Sequence, residues 1–453
     1  MTIKNLTLAF LFVATSAISQ VNPVIGAWLQ NTTGIKGRHY VTGNSTPIND
    51  NVDANVQSVK YSGTSVYIST NGIPAYITGP FMDGNPSVAT AQNAIFKFPL
   101  VPAKNNGTPT NTTGGNIGIF INGVALFDYR DGVSWQNSTN SLKGGPLGGM
   151  GDAVWNRDAV VGERLGFDCS KAHPAMGNYH HHQNPSAFKL DLTVISTVCT
   201  LYPADGLYVI DSTKHSPLLG FTYDGFPIYG AYAYKNADGS GGIVRMKSSY
   251  TLRNITTRTT NSTGATVTAG PAVSTAYPLG YFREDYQYNT TSAATPDYLD
   301  EHNGRFCITP EYPAGTYCYF ATVDSKWNSA YPYVVGPTFY GIKNVAKVAS
   351  ITETVTTYNP TQTGFNTGNS ELLNPEIFPN PSSDFVAIQL NNLSSENIVI
   401  SLFDINGKKI DETQIYPGST IAYFDTRKLY AGDYFITVLS GSNTITKKIV
   451  LLK

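Results

Sequence analysis

The residues best suited to chemistry are histidines that cluster near the middle of the chain. Four of the seven histidines fall within ten residues, in the segment FDCSKAHPAMGNYHHHQNP. If residues 179–183 are extended, alternate side chains share a face, so His180 and His182 point one way and His181 points the other. Two imidazoles on one face of a strand can bind one ion, and zinc and copper are the usual occupants of such sites. We therefore predict that His180 and His182 converge on one centre the size of a metal ion.

Other histidines extend the candidate ligand set. His173 precedes this pair in the same segment, and His215 and His302 lie downstream. Two alternatives remain open at this point. The histidines could be structural, hydrogen-bonded to carbonyls and tyrosines in a polar core, or they could form an acid–base site without a metal. The predicted metal ligands are His173, His180, His182, His215 and His302.

Acidic residues near these histidines are weak candidates for catalytic roles. Glu163, Asp168 and Asp224 could each act as a general base or could orient a metal ligand. The pair Asp224-Gly225 is most typical of a turn. A serine hydrolase of the α/β type needs a G-x-S-x-G turn, which the sequence does not contain.

The N-terminus and the composition indicate where the protein works. Residues 1–20 combine the positively charged Lys4, a short apolar run and small residues, which is typical of a secretory signal peptide. No later segment is apolar enough to predict a transmembrane helix. Lys plus Arg (30) nearly balance Asp plus Glu (31), so the charge gives no reason to expect nucleic acid as a partner.

Export would place the four cysteines in an oxidising compartment, where disulfides persist. Four cysteines allow three pairings, and proximity in the sequence favours Cys169–Cys199 and Cys307–Cys318. A thiolate metal site is the alternative. A Cys169–Cys199 bond would close a loop around the histidine cluster and would pre-organise it.

The apolar pattern predicts a mainly β protein with a few short helices. Alternating segments such as SVYIST and IGIFINGVALF, the second with an Asn-Gly turn signal, predict strands and a hairpin. DAVVGERLG could form a short helix. We expect one β-rich domain over residues 21–347, a polar Thr/Asn-rich linker over 348–374, and a small Ig-like β-sandwich over 375–453.

The middle of the chain resembles the YHYH domain family. The matching stretches run from about Ala94 to Gly341 and include WNRDAVVGE, NYHHH, KHSPLLGFTYDGFPIYGAY and LDEHNGRFCITPEYPAGTYCYF. His181 stands where many members have tyrosine, at a position that faces away from the predicted metal face. The resemblance implies where the site lies and does not imply a reaction.

The C-terminal residues resemble the type A sorting domain of the type IX secretion system. The matching residues are Phe378–Pro381, Asp404–Gly407, Leu429, Gly432, Tyr434 and Lys447–Val450. This resemblance implies the type IX machinery as a partner. It also implies transport across the outer membrane, removal of the tail, and surface attachment or release.

The sequence therefore supports an exported, cell-surface or extracellular protein that binds zinc or copper, with no organic cofactor indicated. One alternative function is an extracellular metal-dependent hydrolase or oxidoreductase. The other is a non-catalytic surface module in which tyrosines contact a ligand.

Overall fold

The computed structural model describes residues 21–83, 87–194, 196–359, 375–390, 397–405, 407–416, 419–440 and 443–452. The chain divides into two compact units, the first ending at Asn359 and the second beginning at Pro360. Both described units are mainly β, which confirms the predicted fold class. The predicted signal peptide, residues 1–20, lies outside the described residues.

The first unit is built from short strands joined by loops and single helical turns. In chain order its described strands are β1 (Lys36–Val41), β2 (Asn44–Asp53), β3 (Val56–Tyr61), β4 (Ser65–Thr70), β5 (Ala94–Pro99), β6 (Asn116–Phe120), β7 (Ala125–Phe127), β8 (Arg130–Gln136), β9 (Ser141–Gly144), β10 (Asn156–Asp158), β11 (Ala172–Ala175), β12 (Asn178–His181), β13 (Leu218–Thr222), β14 (Pro227–Tyr229), β15 (Tyr232–Tyr234), β16 (Ile243–Arg245), β17 (Tyr250–Leu252), β18 (Tyr286–Tyr288), β19 (Gly304–Cys307), β20 (Thr316–Phe320), β21 (Ala346–Val348) and β22 (Thr356–Tyr358). The described helices are α1 (Pro23–Gly26), α2 (Ala159–Gly162), α3 (Val198–Leu201) and α4 (Thr290–Ala293), with 3₁₀ turns at Asn137–Thr139, Gly145–Leu147, Arg164–Gly166, Phe188–Leu190 and Arg283–Asp285.

Two larger sheets share the main core of this unit. The eight-stranded sheet has the order β11-β12-β7-β6-β13-β14-β20-β19, and the five-stranded sheet has the order β21-β5-β4-β3-β22. Trp28 lies between them, with its ring 5.5 Å from that of Phe98 in the smaller sheet and 5.3 Å from that of Phe221 in the larger one. The histidine-bearing strands β11 and β12 therefore form one edge of the larger sheet.

The predicted Asn-Gly hairpin is confirmed, but its turn is not the type I′ turn that an Asn-Gly pair commonly forms. Strands β6 and β7 pair antiparallel across this turn. A type I′ turn needs two successive residues with positive φ. Only Gly123 of the pair has one, at +80°. Asn122 instead uses its side-chain oxygen to accept a hydrogen bond from the Val124 amide at 3.2 Å.

The expected linker begins later than residue 348. Thr356–Tyr358 pairs antiparallel with β3, and Ala346–Val348 pairs with β5, so both segments belong to the five-stranded sheet. Polar, threonine-rich sequence suits an edge strand because β-branched side chains favour the extended backbone and one face meets water. The remainder of that predicted linker, residues 360–374, lies outside the described residues.

The second unit has its own apolar core between two sheets. Its described strands are β23 (Glu376–Phe378), β24 (Phe385–Gln389), β25 (Ile398–Asp404), β26 (Lys409–Ile415), β27 (Ile421–Asp425), β28 (Gly432–Ser440) and β29 (Asn443–Leu451). They form sheets of order β23-β24-β27 and β26-β25-β28-β29. Apolar side chains from both sheets, including Val386, Ile400 and Ile436, make one buried cluster. This arrangement is the predicted small β-sandwich.

The predicted Cys169–Cys199 disulfide is present. Both cysteines belong to a small apolar cluster that also contains Phe167 and Phe188. The bond therefore ties the segment just before β11 to helix α3.

The predicted Cys307–Cys318 disulfide is wrong in this structure, where both cysteines are free and buried. Strand register explains the difference, because Cys307 lies opposite Thr316 and Cys318 lies opposite Arg305. The two cysteines are thus diagonal neighbours, whose Cα atoms are typically about 7–8 Å apart, beyond the usual reach of a disulfide. The neighbouring Cys318 side chain lowers the pKa of Cys307 to about 7, although burial acts to raise it.

The cysteine states can be checked by alkylation of the secreted protein. Under denaturing conditions without reductant, we expect labelling at Cys307 and Cys318 only, because Cys169 and Cys199 are bonded to each other. After reduction, all of the cysteines should be labelled, as measured by peptide mass spectrometry. Labelling at Cys169 without reductant would contradict the first disulfide, and protection of Cys307 would contradict the free pair.

Candidate metal centre

A tight hairpin brings the first histidine to the others. Strands β11 and β12 are joined by Met176 and Gly177, whose φ angles of +47° and +84° suit a type I′ turn. The resulting register places His173 directly opposite His180. Opposed residues on an antiparallel pair point to the same face, so these two imidazoles lie side by side.

His182 completes a group of three histidines. It follows β12 by one residue and shares a face with His180, as the alternation of an extended segment requires. His173, His180 and His182 each offer a ring nitrogen, and these nitrogens all lie within 4.8 Å of one another. All three side chains are buried. The arrangement is compact enough to hold one cation.

Backbone carbonyls determine which ring nitrogens of His180 and His182 face the centre. Nδ1 of His180 lies 2.8 Å from the Asn178 carbonyl, and Nδ1 of His182 lies 2.6 Å from the Asp128 carbonyl. A carbonyl oxygen only accepts, so both Nδ1 atoms must donate, and a neutral imidazole then has an unprotonated Nε2. The two Nε2 atoms are 3.0 Å apart. Without a proton or a cation between them, two lone pairs would face each other.

Glu163 supplies a carboxylate to the same group. Its Oε2 is 3.3 Å from Nε2 of His173 and 3.3 Å from Nε2 of His182. The residue stands where α2 ends and the 3₁₀ turn Arg164–Gly166 begins, and Asp158 caps the start of α2. The predicted short helix is thus confirmed. Glu163, which the sequence predicts to act as a base or to orient a metal ligand, contacts two imidazoles directly.

Burial and charge act against each other in this group. Burial lowers the pKa of His180 well below its ordinary value, and the other two histidines lower it further. Burial also acts to lower the pKa of His182, but hydrogen bonding and the charge of Glu163 outweigh it and raise that pKa. The two imidazoles in turn hold the pKa of Glu163 below its usual range, despite the opposing effect of burial. The centre therefore favours positive charge beside an ionised carboxylate.

Aromatic side chains line the centre, although no local sequence pattern predicts them there. The Phe127 ring stacks on His180 with centroids 3.7 Å apart, and the Phe167 ring meets His173 edge-on at 4.9 Å. These contacts fix the orientation of the imidazole rings and exclude water from one side of the centre. Phe167 is two residues before Cys169 and packs in the same apolar cluster, so the disulfide helps to position its ring.

His181 faces the other side of the hairpin, as expected. Its Nε2 is 2.8 Å from the hydroxyl of Tyr76, and its ring meets Phe120 edge-on. Burial lowers the pKa of His181 to about 3, so the imidazole stays neutral. This histidine supports the core and does not join the group of three.

Asp168 and Asp224, two weak catalytic candidates, are both buried and hydrogen-bonded within the fold. Asp168 accepts hydrogen bonds from the Gly79, Ser170 and Ala172 amides and from the Tyr179 hydroxyl. Asp224 accepts hydrogen bonds from Thr222, Tyr319 and the Gly341 amide. These contacts indicate structural roles, and Asp168 in particular braces both strands of the histidine hairpin.

His215 and His302 do not join the group, contrary to our prediction. His215 precedes β13, bonds the Ser216 carbonyl through Nδ1 and packs against Tyr229. His302 precedes β19, the strand at the opposite edge of the sheet from β11, and its Nδ1 contacts Thr338. The sheet order, which the sequence does not reveal, separates these histidines from the hairpin.

Replacing Asp168 with asparagine should destabilise the first unit. The amide NH₂ would face hydrogen-bond donors in a buried site, and we expect a loss of about 3 kcal/mol in the free energy of unfolding. Chemical denaturation followed by fluorescence would measure the loss. Asp205→Asn is a suitable control, because the Asp205 side chain is 81% exposed and its substitution should change little. Equal stability of the two variants would contradict the bracing role.

Comparison with known proteins agrees with this architecture. Residues 95–332 match the family described as YHYH protein, and residues 376–452 match the secretion system C-terminal sorting domain. No curated protein matches the chain significantly. The sorting domain indicates export to the cell surface or the extracellular space, and none of the described helices has the length and hydropathy needed to cross a membrane. Because the first match covers more than half of the chain, the protein belongs to the YHYH protein family.

Proposed function

We propose that this exported protein binds one transition-metal ion, zinc or copper, through His173, His180 and His182. The observation that carries the proposal is the 3.0 Å separation of the His180 and His182 Nε2 atoms, both of which must be unprotonated if the rings are neutral. A metal ion would accept both lone pairs and would remove their repulsion. A proton could do so only by charging a buried ring.

The spacing of the ligand atoms supports a metal better than a hydrogen-bond network. Four ligands placed tetrahedrally at zinc–nitrogen distances would be about 3.3 Å apart. Oε2 of Glu163 lies at 3.3 Å from His173 and from His182. The carbonyls bonded to the outer ring nitrogens of His180 and His182 are the partners that metal-bound histidines commonly have.

The ligand chemistry is consistent with both zinc and copper. Imidazole suits either metal, and a carboxylate adds a negative charge that a divalent ion needs. The nearby Cys169 is bonded to Cys199 and so offers no thiolate. Nothing in the donor set requires an organic cofactor.

A metal-dependent hydrolase or oxidoreductase remains an alternative, and it would need an open coordination position at this centre. A ligand-binding face of tyrosines has less support. Among the described residues of the first unit, Phe306 is the large aromatic side chain left exposed, whereas many tyrosines lie in the core.

Removal of two ligands should abolish metal binding. We expect the secreted protein to contain about one metal ion per chain by elemental analysis, and the His180→Ala/His182→Ala double variant to contain almost none. The reason is that His173 and Glu163 alone cannot surround the ion.

The matched control is the His215→Ala/His302→Ala double variant, which removes the same number of imidazoles away from the centre. It should keep its metal. Equal metal content in all three proteins would refute the proposed site. Circular dichroism would show whether each variant is folded.

The C-terminal unit should act as a separable export signal. Deletion of residues 375–453 should leave the protein in the periplasm of a host that has the type IX system, because the sorting domain lies in that range. Immunoblots of cell fractions would locate the protein. Fusion of these residues to a periplasmic reporter is the complementary test, and a reporter that stays in the periplasm would contradict their sufficiency.

A further inference from the structure

The carboxylate of Glu163 is carried by a turn, whereas strand pairing, ring stacking or a backbone hydrogen bond positions the three imidazoles. His173 and His180 lie on paired strands, and the ring of His180 is also stacked on Phe127. His182 is bonded through Nδ1 to the Asp128 carbonyl. Glu163 instead lies at the junction of α2 and a 3₁₀ turn, outside the eight-stranded sheet. Movement of this side chain would disturb none of the strand pairs that carry the histidines.

Glu163 also stands on the solvent side of the centre. Its side chain is 19% exposed, compared with 7% for His173 and 2% for His182. Its Oε2 is buried and lacks a hydrogen bond of good geometry within the described part of the chain. The carboxylate forms close ion pairs with two of the imidazoles, those of His173 and His182. It is therefore the ligand nearest to solvent.

A cation lies close to the segment that carries this carboxylate. Arg157 pairs with the buried Asp131, and its side chain packs against Gly162, where an added Cβ would be 2.5 Å from the guanidinium Nε. Asp131 neutralises this cation, and its carboxylate lies close enough to that of Glu163 for their like charges to repel. This repulsion opposes a tight hold on Glu163.

We propose that Glu163 is the exchangeable ligand of the centre and that a small anion or water molecule binds at the position it vacates. This inference rests on the proposed metal site. When an anion replaces the carboxylate, the charge at the metal is unchanged. When a water molecule replaces it, the charge at the metal becomes more positive by one unit, and in neither case is an electron transferred. The buried imidazoles and the walls formed by Phe127 and Phe167 limit the incoming ligand to a few atoms.

Azide is a suitable probe, because it is a small anion whose binding to Cu²⁺ gives a charge-transfer absorption band. We expect azide to produce this band in the copper-loaded secreted protein. In Glu163→Gln and Glu163→Ala, azide should bind about tenfold more tightly, since it no longer competes with the carboxylate. Benzoate, which has the same charge but is larger, should leave the copper spectrum of the wild-type protein unchanged.

Glu301→Gln is the matched control. Glu301 also lies near an imidazole, with Oε1 3.8 Å from Nε2 of His302, but outside the centre. The azide affinity of the Glu301→Gln variant should equal that of the wild-type protein. Copper analysis would accompany every titration to show that each variant is fully loaded.

The outcomes separate the two proposals. One outcome is full copper loading without an azide band, both in the wild-type protein and in the Glu163 variants. The site would then be closed to added ligands. This result would overturn the proposed exchange of Glu163 but would leave the metal proposal standing. Benzoate binding as strong as azide binding would overturn the restriction to small ligands. A wild-type protein that takes up no metal would overturn both proposals.

Discussion

Two backbone carbonyls determine the chemistry of the histidine cluster. The Asn178 and Asp128 oxygens each accept a hydrogen bond from an outer ring nitrogen, and in neutral rings this leaves the inner nitrogens of His180 and His182 unprotonated and 3.0 Å apart. Either bond alone would leave one ring free to present an N–H to the other. Together they make the centre a place that favours positive charge.

The fold supplies both carbonyls through the edge of the larger sheet. Asp128 follows β7 directly, and β7 pairs in parallel with β12, where His180 lies opposite Ala125. This pairing brings the Asp128 carbonyl beside His182, although the two residues are far apart in sequence. Asp168 bonds both strands of the hairpin, and the Cys169–Cys199 bond ties the segment before the hairpin to α3. Polar contacts and packing thus hold the histidine side chains in fixed positions, as a metal site requires.

The sequence predicts the parts of this arrangement that depend on local pattern. The period of an extended chain places His180 and His182 together, and residue spacing identifies the Cys169–Cys199 pair. The contribution of His173 depends on a turn with two positive φ angles, at Met176 and Gly177, and methionine is not a residue that signals such a turn. The absence of His215 and His302 from the centre depends on sheet order, which local pattern does not encode. Local pattern also does not encode the strand register that separates Cys307 from Cys318.

The proposed ion binding would be linked to the stability of the fold. With no metal bound, the protein must keep either a buried imidazolium beside Glu163 or two opposed lone pairs, and both states cost free energy. A metal ion would remove that cost only when the hairpin, the β7 edge and the Glu163 turn are all in place, so binding would favour the folded state. The sorting unit has a separate core and contributes no ligand to this group. Export and ion binding can therefore be altered independently, and loss of the tail should leave the coupling between metal and fold intact.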